Sequence, residues 1–366
     1  MQKFNTLNRS WKEILFSASG FGPNLLMVIM GAYLSNAINP AALQAGGTTG
    51  WEYQTISGIC LILPVLFSIL WTIAKCFDGF IDIPFAALTD GLRTKWGNRR
   101  LPIAICFIPM VVAFSMCWYP LFTNPDGITT SQQIGNTVWL FFWALIFFAT
   151  YTMNLIAFYG SLSTVCINEK QRSRVSAYKS FFDTITYCLA YALVPVILNT
   201  AQIHIDKLVF FCLPFMLTMI IPLIMIKEGE KWEAKAISMG YDVTPLKSQP
   251  PVKFLESLKL TGKNKPFLKW LLVNSCSFFG LQLFLVSMNA LIVGGMGLNG
   301  TQMTIVDTFA FAPVPLMLYL FNRLKRRKGV RFAFQTSLLS FAVAITAFLI
   351  GSTYVMGDNT TVKMIQ

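Results

Sequence analysis

Nine stretches of this chain are each mostly apolar for about 20 residues, the length a helix needs to cross a bilayer. They lie near 14–34, 56–76, 101–122, 138–165, 180–198, 208–226, 269–293, 304–321 and 332–355. Hydrocarbon offers no partner to a backbone N–H or C=O, so segments of this length must satisfy those groups internally, as helices do. The expected fold is therefore all-α and polytopic. Composition agrees, with 55% hydrophobic and 12% charged residues against roughly 45–50% and 25% in ordinary soluble domains. The basic start, with Lys3, Arg9 and Lys12, runs into the first apolar stretch without a small-residue cleavage pattern, so that helix itself is expected to target the chain.

Orientation is read from the basic residues. Of 29 lysines and arginines, 26 fall in the alternate connections 1–13, 91–100, 168–179, 227–269 and 322–331. The positive-inside rule places these connections, and the amino terminus, on the cytoplasmic side of a cell membrane. The net charge of +13 is then a topology signal, and no nucleic-acid partner is expected. Eight cysteines are scattered singly without a C-x-x-C pair, and the single histidine, His204, falls in a predicted outer loop. Neither pattern suits a metal or redox centre. There is no nucleophile–base set or phosphate loop, so an enzyme is not expected and no cofactor is called for.

Organisation reads as six helices over 1–226, a polar basic connection over 227–268 containing Pro250-Pro251, and three helices over 269–366. Such a layout suggests a transporter built from repeats. Three helices in the second half are fewer than a repeat requires, and the expectation is a twelve-helix chain lacking its last three.

One apolar stretch carries charge. Lys75, Asp78 and Asp82 are spaced three and four apart, which puts them on one helix face. Two ionised carboxylates there repel, so the pair holds a cation or traps a proton, and Lys75 trims the excess to about one negative charge. A loaded, near-neutral site can cross a low-dielectric barrier, and linkage to a solute follows if solute binds well only after the cation. Sodium and proton both fit. The competing reading is a structural ion pair facing a vestibule.

The segment KCFDGFIDIPFAALTDGLRTKWGNRRLP, Lys75 to Pro102, resembles the signature of the glycoside-pentoside-hexuronide:cation symporters of the major facilitator superfamily, the melibiose permease-like transporters. Lys75, Asp78, Asp82, Pro84, Asp90, Arg93, Thr94, Lys95, Trp96, Gly97, Arg99 and Arg100 follow its order. GFGPNLL (20–26), YTMNLIAFYGSL (151–162), EKQRSRVSAYKSFF (169–182) and KNKPF (263–267) resemble further parts of that family. The resemblance implies the major facilitator fold and symport of a sugar, glycoside or similar small polar solute with Na+ or H+. The loop from Arg93 to Arg100 reads as a gate latch, in which Asp90 pairs with cytoplasmic arginines in one state and releases them in the other; the competing reading is positive-inside charge alone.

Departures shape the solute expectation. The two sugar-holding carboxylates of melibiose permease-like members fall here on Gly20 and on Leu155 or Ile156. Asn24 and Asn154 are neutral replacements, Tyr159 falls near a stacking aromatic, and Lys179 (or Ser180) falls near a sugar-contacting arginine. Asp183 reads as an i,i+4 partner of Lys179 at a helix start, and Asp307 as an acid opening a helix. Gln282 and Asn289, seven apart, share a face of the seventh helix and are cavity candidates. Alternatives are a lysolipid-type symporter of the same fold and a non-transporting membrane sensor or scaffold. The expected partners are a small polar solute and the bilayer, with the chain a monomer.

Overall fold

The computed structural model describes residues 7–40, 52–241, 259, 261–290, 300–311 and 313–350, and every regular element among them is helical. Eight helices in that set are long and apolar enough to cross a membrane. The eighth, Thr308–Ala347, overlaps both of the last two expected stretches, and its backbone is non-helical at Gly329 (φ 86°), inside the basic run between them.

Residues cluster into two units. The first comprises Met1–Met30, Leu61–Asp183 and Asp206–Lys263, the second Gly31–Cys60, Thr184–Ile205 and Asn264–Gln366. In the first unit α1 (Ser10–Ser17) gives way to α2 (Phe21–Ile38) through a 3-10 turn at Ala18–Gly20. Pro23, in the first turn of α2, has no N–H to return to the carbonyl four residues back, and the tighter turn absorbs the loss. The helix α3 runs Pro64–Gly91, so it starts later and reaches deeper than the stretch expected over 56–76. Pro64 stands at its first turn, where a missing N–H costs nothing. As a result, the charged stripe from Lys75 to Asp82 lies well inside one continuous helix.

The helix α4 (Arg100–Cys117) and the long α5 (Thr130–Val165) follow. Thr129 starts α5 with a capping box: its hydroxyl accepts from Gln132 N–H (3.4 Å) and its own N–H donates to Gln132 Oε1 (3.0 Å). With this start, α5 is eight residues longer than expected at its amino end. It is the spine of the unit and packs along both α3 and α4. Phe158 of α5 meets Phe16 of α1 at 5.3 Å between ring centroids, in a core shared with Ile103, Val175 and Met219.

The helix α6 (Glu169–Cys188) is tied to α1 by a buried carboxylate. Glu13, 3% exposed, accepts from Arg174 Nη2 (2.8 Å) and Nε (3.2 Å) and from Gln171 Nε2 (3.1 Å). A π-turn at Leu189–Leu193 leads into α7 (Val194–Ala201). The stretch expected over 208–226 is not one α-helix: it is α8 (Leu208–Cys212), a 3-10 segment Leu213–Met219 and α9 (Ile220–Met225). Pro214 and Pro222 remove two backbone donors there, which accounts for the breaks. The short amphipathic α10 (Glu230–Ser238) follows in the first unit.

The second unit contains α7, α11 (Lys265–Ala290), α12 (Gly300–Phe311) and α13 (Val314–Ile350). Tyr33 donates to the Ala190 carbonyl at 2.7 Å, and Tyr191 stacks on Phe311 at 4.8 Å. The Pro250-Pro251 pair lies outside the described residues.

Candidate functional site

Within the first unit, α3 turns Asp78 toward α5. Asp78 Oδ1 accepts from Thr152 Oγ1 at 2.7 Å, while Lys75 Nζ stands 3.9 Å from Asp78 Oδ2. The second distance is an ion pair at its limit and too long for a hydrogen bond. The ammonium lies 4.3 Å from the centre of the Phe148 ring and 3.9 Å from Met27 Sδ of α2. It is therefore held more by an aromatic face and a soft sulfur than by the acid beside it. Asp82, one turn further along, is exposed and has no hydrogen-bond or ion-pair partner among the described residues. An Asp in the middle of a span costs about 2.5–3.5 kcal/mol to insert. Here one acid and a hydroxyl meet beside a single, loosely held amine, with a second acid one helical turn away on α3.

A second polar cluster sits on α2, α5 and α6. Asp183 Oδ2 accepts from Lys179 Nζ at 2.5 Å, the i,i+4 pair expected from spacing. Its Oδ1 also accepts from Asn24 Nδ2 at 2.8 Å, and Asn24 Oδ1 accepts from the Tyr151 hydroxyl at 3.2 Å. Lys179 Nζ lies 4.5 Å from the centre of the Tyr159 ring. Asn24, Tyr159 and Lys179 are thus brought together, around a carboxylate that spacing alone assigns to helix stabilisation. The two clusters touch the same backbone segments. Consecutive residues of α5, Tyr151 and Thr152, serve one each, and so do Asn24 and Met27, one turn apart on α2.

Asn154 is not part of either cluster. It is fully buried, and among the described residues neither of its amide atoms has a hydrogen-bond partner. Gln282 is half-buried on α11 in the other unit; the side chains of Asn289 and Asp307 lie outside the described residues.

At the basic end of the first unit, Asp90 pairs with Arg99, whose Nη1 also donates to Thr89 Oγ1 at 3.3 Å. The loop between them is shaped by Thr94, which donates to the Gly97 carbonyl at 2.6 Å, and by Gly97 itself at φ 99°. Arg93, Lys95 and Trp96 are exposed, and Arg100 opens α4. Spacing does not reveal Glu228, just after α9. Its Oε2 accepts from the Arg99 backbone N–H at 3.1 Å and its Oε1 from Thr164 Oγ1 at 3.2 Å. A Cβ on Gly97 would lie 2.6 Å from Glu228 Cβ, and one on Gly229 (φ 93°) 2.3 Å from the Lys95 carbonyl, so both contacts need glycine. Burial pushes the Glu228 carboxyl above its usual range, against the opposing pull of those two donors and of the Arg99 and Arg100 charges.

The contacts that spacing does not reveal share one cause. Thr152 is 74 residues from Asp78, Asn24 is 159 from Asp183 and Glu228 is 129 from Arg99, and each is an ordinary residue until folding supplies its partner.

Comparison with known families matches residues 15–365 to the family described as MFS/sugar transport protein. A comparison with curated proteins gives no match.

Proposed function

This chain belongs to the MFS/sugar transport protein family, and from that membership we propose that it is a cation-coupled symporter of a sugar, glycoside or similar small polar solute. The observation that carries the coupling is Asp78, bonded to Thr152 of a neighbouring helix with Asp82 one turn away and Lys75 only loosely attached. A small hard cation, Na+ or H+, is taken by those oxygens. Lys75 keeps the empty site from carrying two uncompensated charges, and its seat against Phe148 and Met27 leaves the Asp78 oxygens open to the cation.

The solute is held by Asn24, Lys179, Asp183 and Tyr159. Asp183 supplies the acceptor that the first and fourth helices lack, and charged acceptors bind hydroxyls more tightly than amides do. Tyr151 and Thr152 join the two sites, so loading one biases the other, a reciprocal free-energy linkage. Gln282 and Asn289 are retained as cavity candidates, as is Asn154, and the segment 227–268 as the link between helices 1–226 and 269–366. The basic ends face the cytoplasm, and the Asp90–Arg99 pair with its loop acts as the gate there.

The test is uptake of a labelled sugar panel into vesicles, with and without an imposed sodium or proton gradient. Asp78→Asn and Asp82→Asn are expected to remove gradient dependence, a change of about 5–150-fold in apparent solute affinity at saturating cation. Coupling that survives unchanged in both variants excludes the carboxylate pair as the cation site.

A further inference from the structure

We propose that the exposed face of α13 carrying Leu316, Leu320, Arg323 and Arg327 is a binding site for an anionic membrane phospholipid, with the two arginines on its phosphate and the two leucines against its acyl chain. The site lies in the second unit, apart from the clusters described above, and does not depend on the transport reading.

The charge here differs from that of the other basic stretches. Arg323, Lys325, Arg326, Arg327, Lys328 and Arg331 fall within nine residues, and no Asp or Glu occurs between Asp307 and Asp358. The other basic connections contain an acid or have one at their edge. Basic groups there spend charge on acids: Arg99 pairs with Asp90, Arg174 with Glu13 and Lys179 with Asp183. Topology accounts for the number of basic residues, but acids contribute little to it, so it does not account for an acid-free run. All six side chains are exposed, and among the described residues none makes a hydrogen bond or ion pair. Lys328 Nζ stands 4.6 Å from the centre of the Phe332 ring, a contact that leaves its charge uncompensated. Six positive charges so close in the chain repel, and an anion relieves the repulsion. Four of them are arginines, whose guanidinium meets phosphate oxygens with two parallel N–H donors.

The kind of anion is decided by what adjoins the charge. α13 is helical from Val314 up to the break at Gly329. Spacings of four, three and four put Leu316, Leu320, Arg323 and Arg327 on one face of that stretch. Leu316 is 58% and Leu320 44% exposed, with Tyr319 beside them at 61%. One face of one helix thus grades from exposed hydrocarbon to unpaired guanidinium within about three turns, inside a segment long and apolar enough to cross a membrane. That is the order of acyl chain and headgroup in a phospholipid, whereas a free anion uses only the charged part. Basic clusters at the end of a membrane helix attract anionic lipid for this reason.

The experiment follows the thermal midpoint of the purified full chain in neutral detergent during titration with phosphatidylglycerol, phosphatidylcholine or inorganic phosphate. Phosphatidylglycerol is expected to raise the midpoint saturably, and the other two are not. One basic residue at an anionic surface is worth roughly fivefold in affinity, so Arg323→Gln with Arg327→Gln is expected to raise the half-saturating phosphatidylglycerol concentration about 25-fold. Lys170→Gln with Lys231→Gln removes the same charge from connections that hold acids, and is expected to leave the response as in the native chain. No response in the native chain, an unchanged response in the arginine variant, or an equal weakening in the lysine control overturns the proposal. Equal response to inorganic phosphate overturns the lipid assignment, and equal response to phosphatidylcholine overturns recognition of the headgroup charge.

Discussion

Glu228 is a residue whose junction is exposed to pH. Its carboxylate accepts two hydrogen bonds that join the post-α9 segment to the Arg99 loop and to the end of α5. Burial nevertheless raises its pKa, so the folded chain holds this proton more tightly than the unfolded chain. Below the ordinary value near 4.5 both states are protonated and nothing is lost. As pH rises through the folded pKa, the unfolded chain has already ionised and the folded chain must follow at a cost, so this residue's contribution declines across that window and is lowest above it. The prediction is that the difference in thermal midpoint between the native chain and Glu228→Gln shifts in favour of Gln as pH rises from about 4.5. A difference that stays constant with pH removes Glu228 as a titrating member of the junction. Asp78 is a different case: the Thr152 hydroxyl, not a countercharge, is its nearest partner, which suits the cation-exchanging role proposed for it.

At the scale of elements, a buried acid ties α1 to α6, beside the Ser17 hydroxyl bond to the Val175 carbonyl. Glu13→Ala leaves Gln171 Nε2 without its side-chain acceptor and frees Arg174, which is half exposed and can turn to solvent. The expected loss is about 1–3 kcal/mol, read as a lower thermal midpoint, with Glu13→Asp intermediate. A midpoint unchanged in Glu13→Ala would mean that the contact is not a fastening point. The helices themselves are legible in sequence because apolar length is a strong signal: expected and observed spans overlap everywhere among the described residues. Their breaks are not. Prolines 23, 214 and 222 are tolerated in membrane helices generally, and only the packing of each decides whether it yields a 3-10 turn, as here, or a kink. The charged stripe is legible because spacing on one helix suffices. Thr152, and the role of Asp183 beyond its pair with Lys179, are not, because their partners arrive from other helices.

For the whole molecule the distribution of basic residues gives a prediction about sidedness. Lys207 stands in the connection between α7 and α8, whereas Arg326 stands inside the basic run of α13. In a background with the eight native cysteines replaced, Lys207→Cys is expected to react with an impermeant thiol reagent applied outside intact cells. Arg326→Cys is expected to react only after the membrane is opened. The reverse pattern inverts the orientation and with it the side on which the Asp90–Arg99 pair acts.

Among the described residues the Asn154 amide has no hydrogen-bond partner, and that has a practical use. A side chain that forgoes all its hydrogen bonds within a packed helix is a liability that a plain hydrocarbon of similar size does not share. Asn154→Leu is therefore expected to yield a sturdier preparation, with a thermal midpoint several degrees higher. If that sturdier variant has also stopped moving solute, the amide was kept for work, and its discomfort at rest is the trace of a second conformation in which it finds a partner.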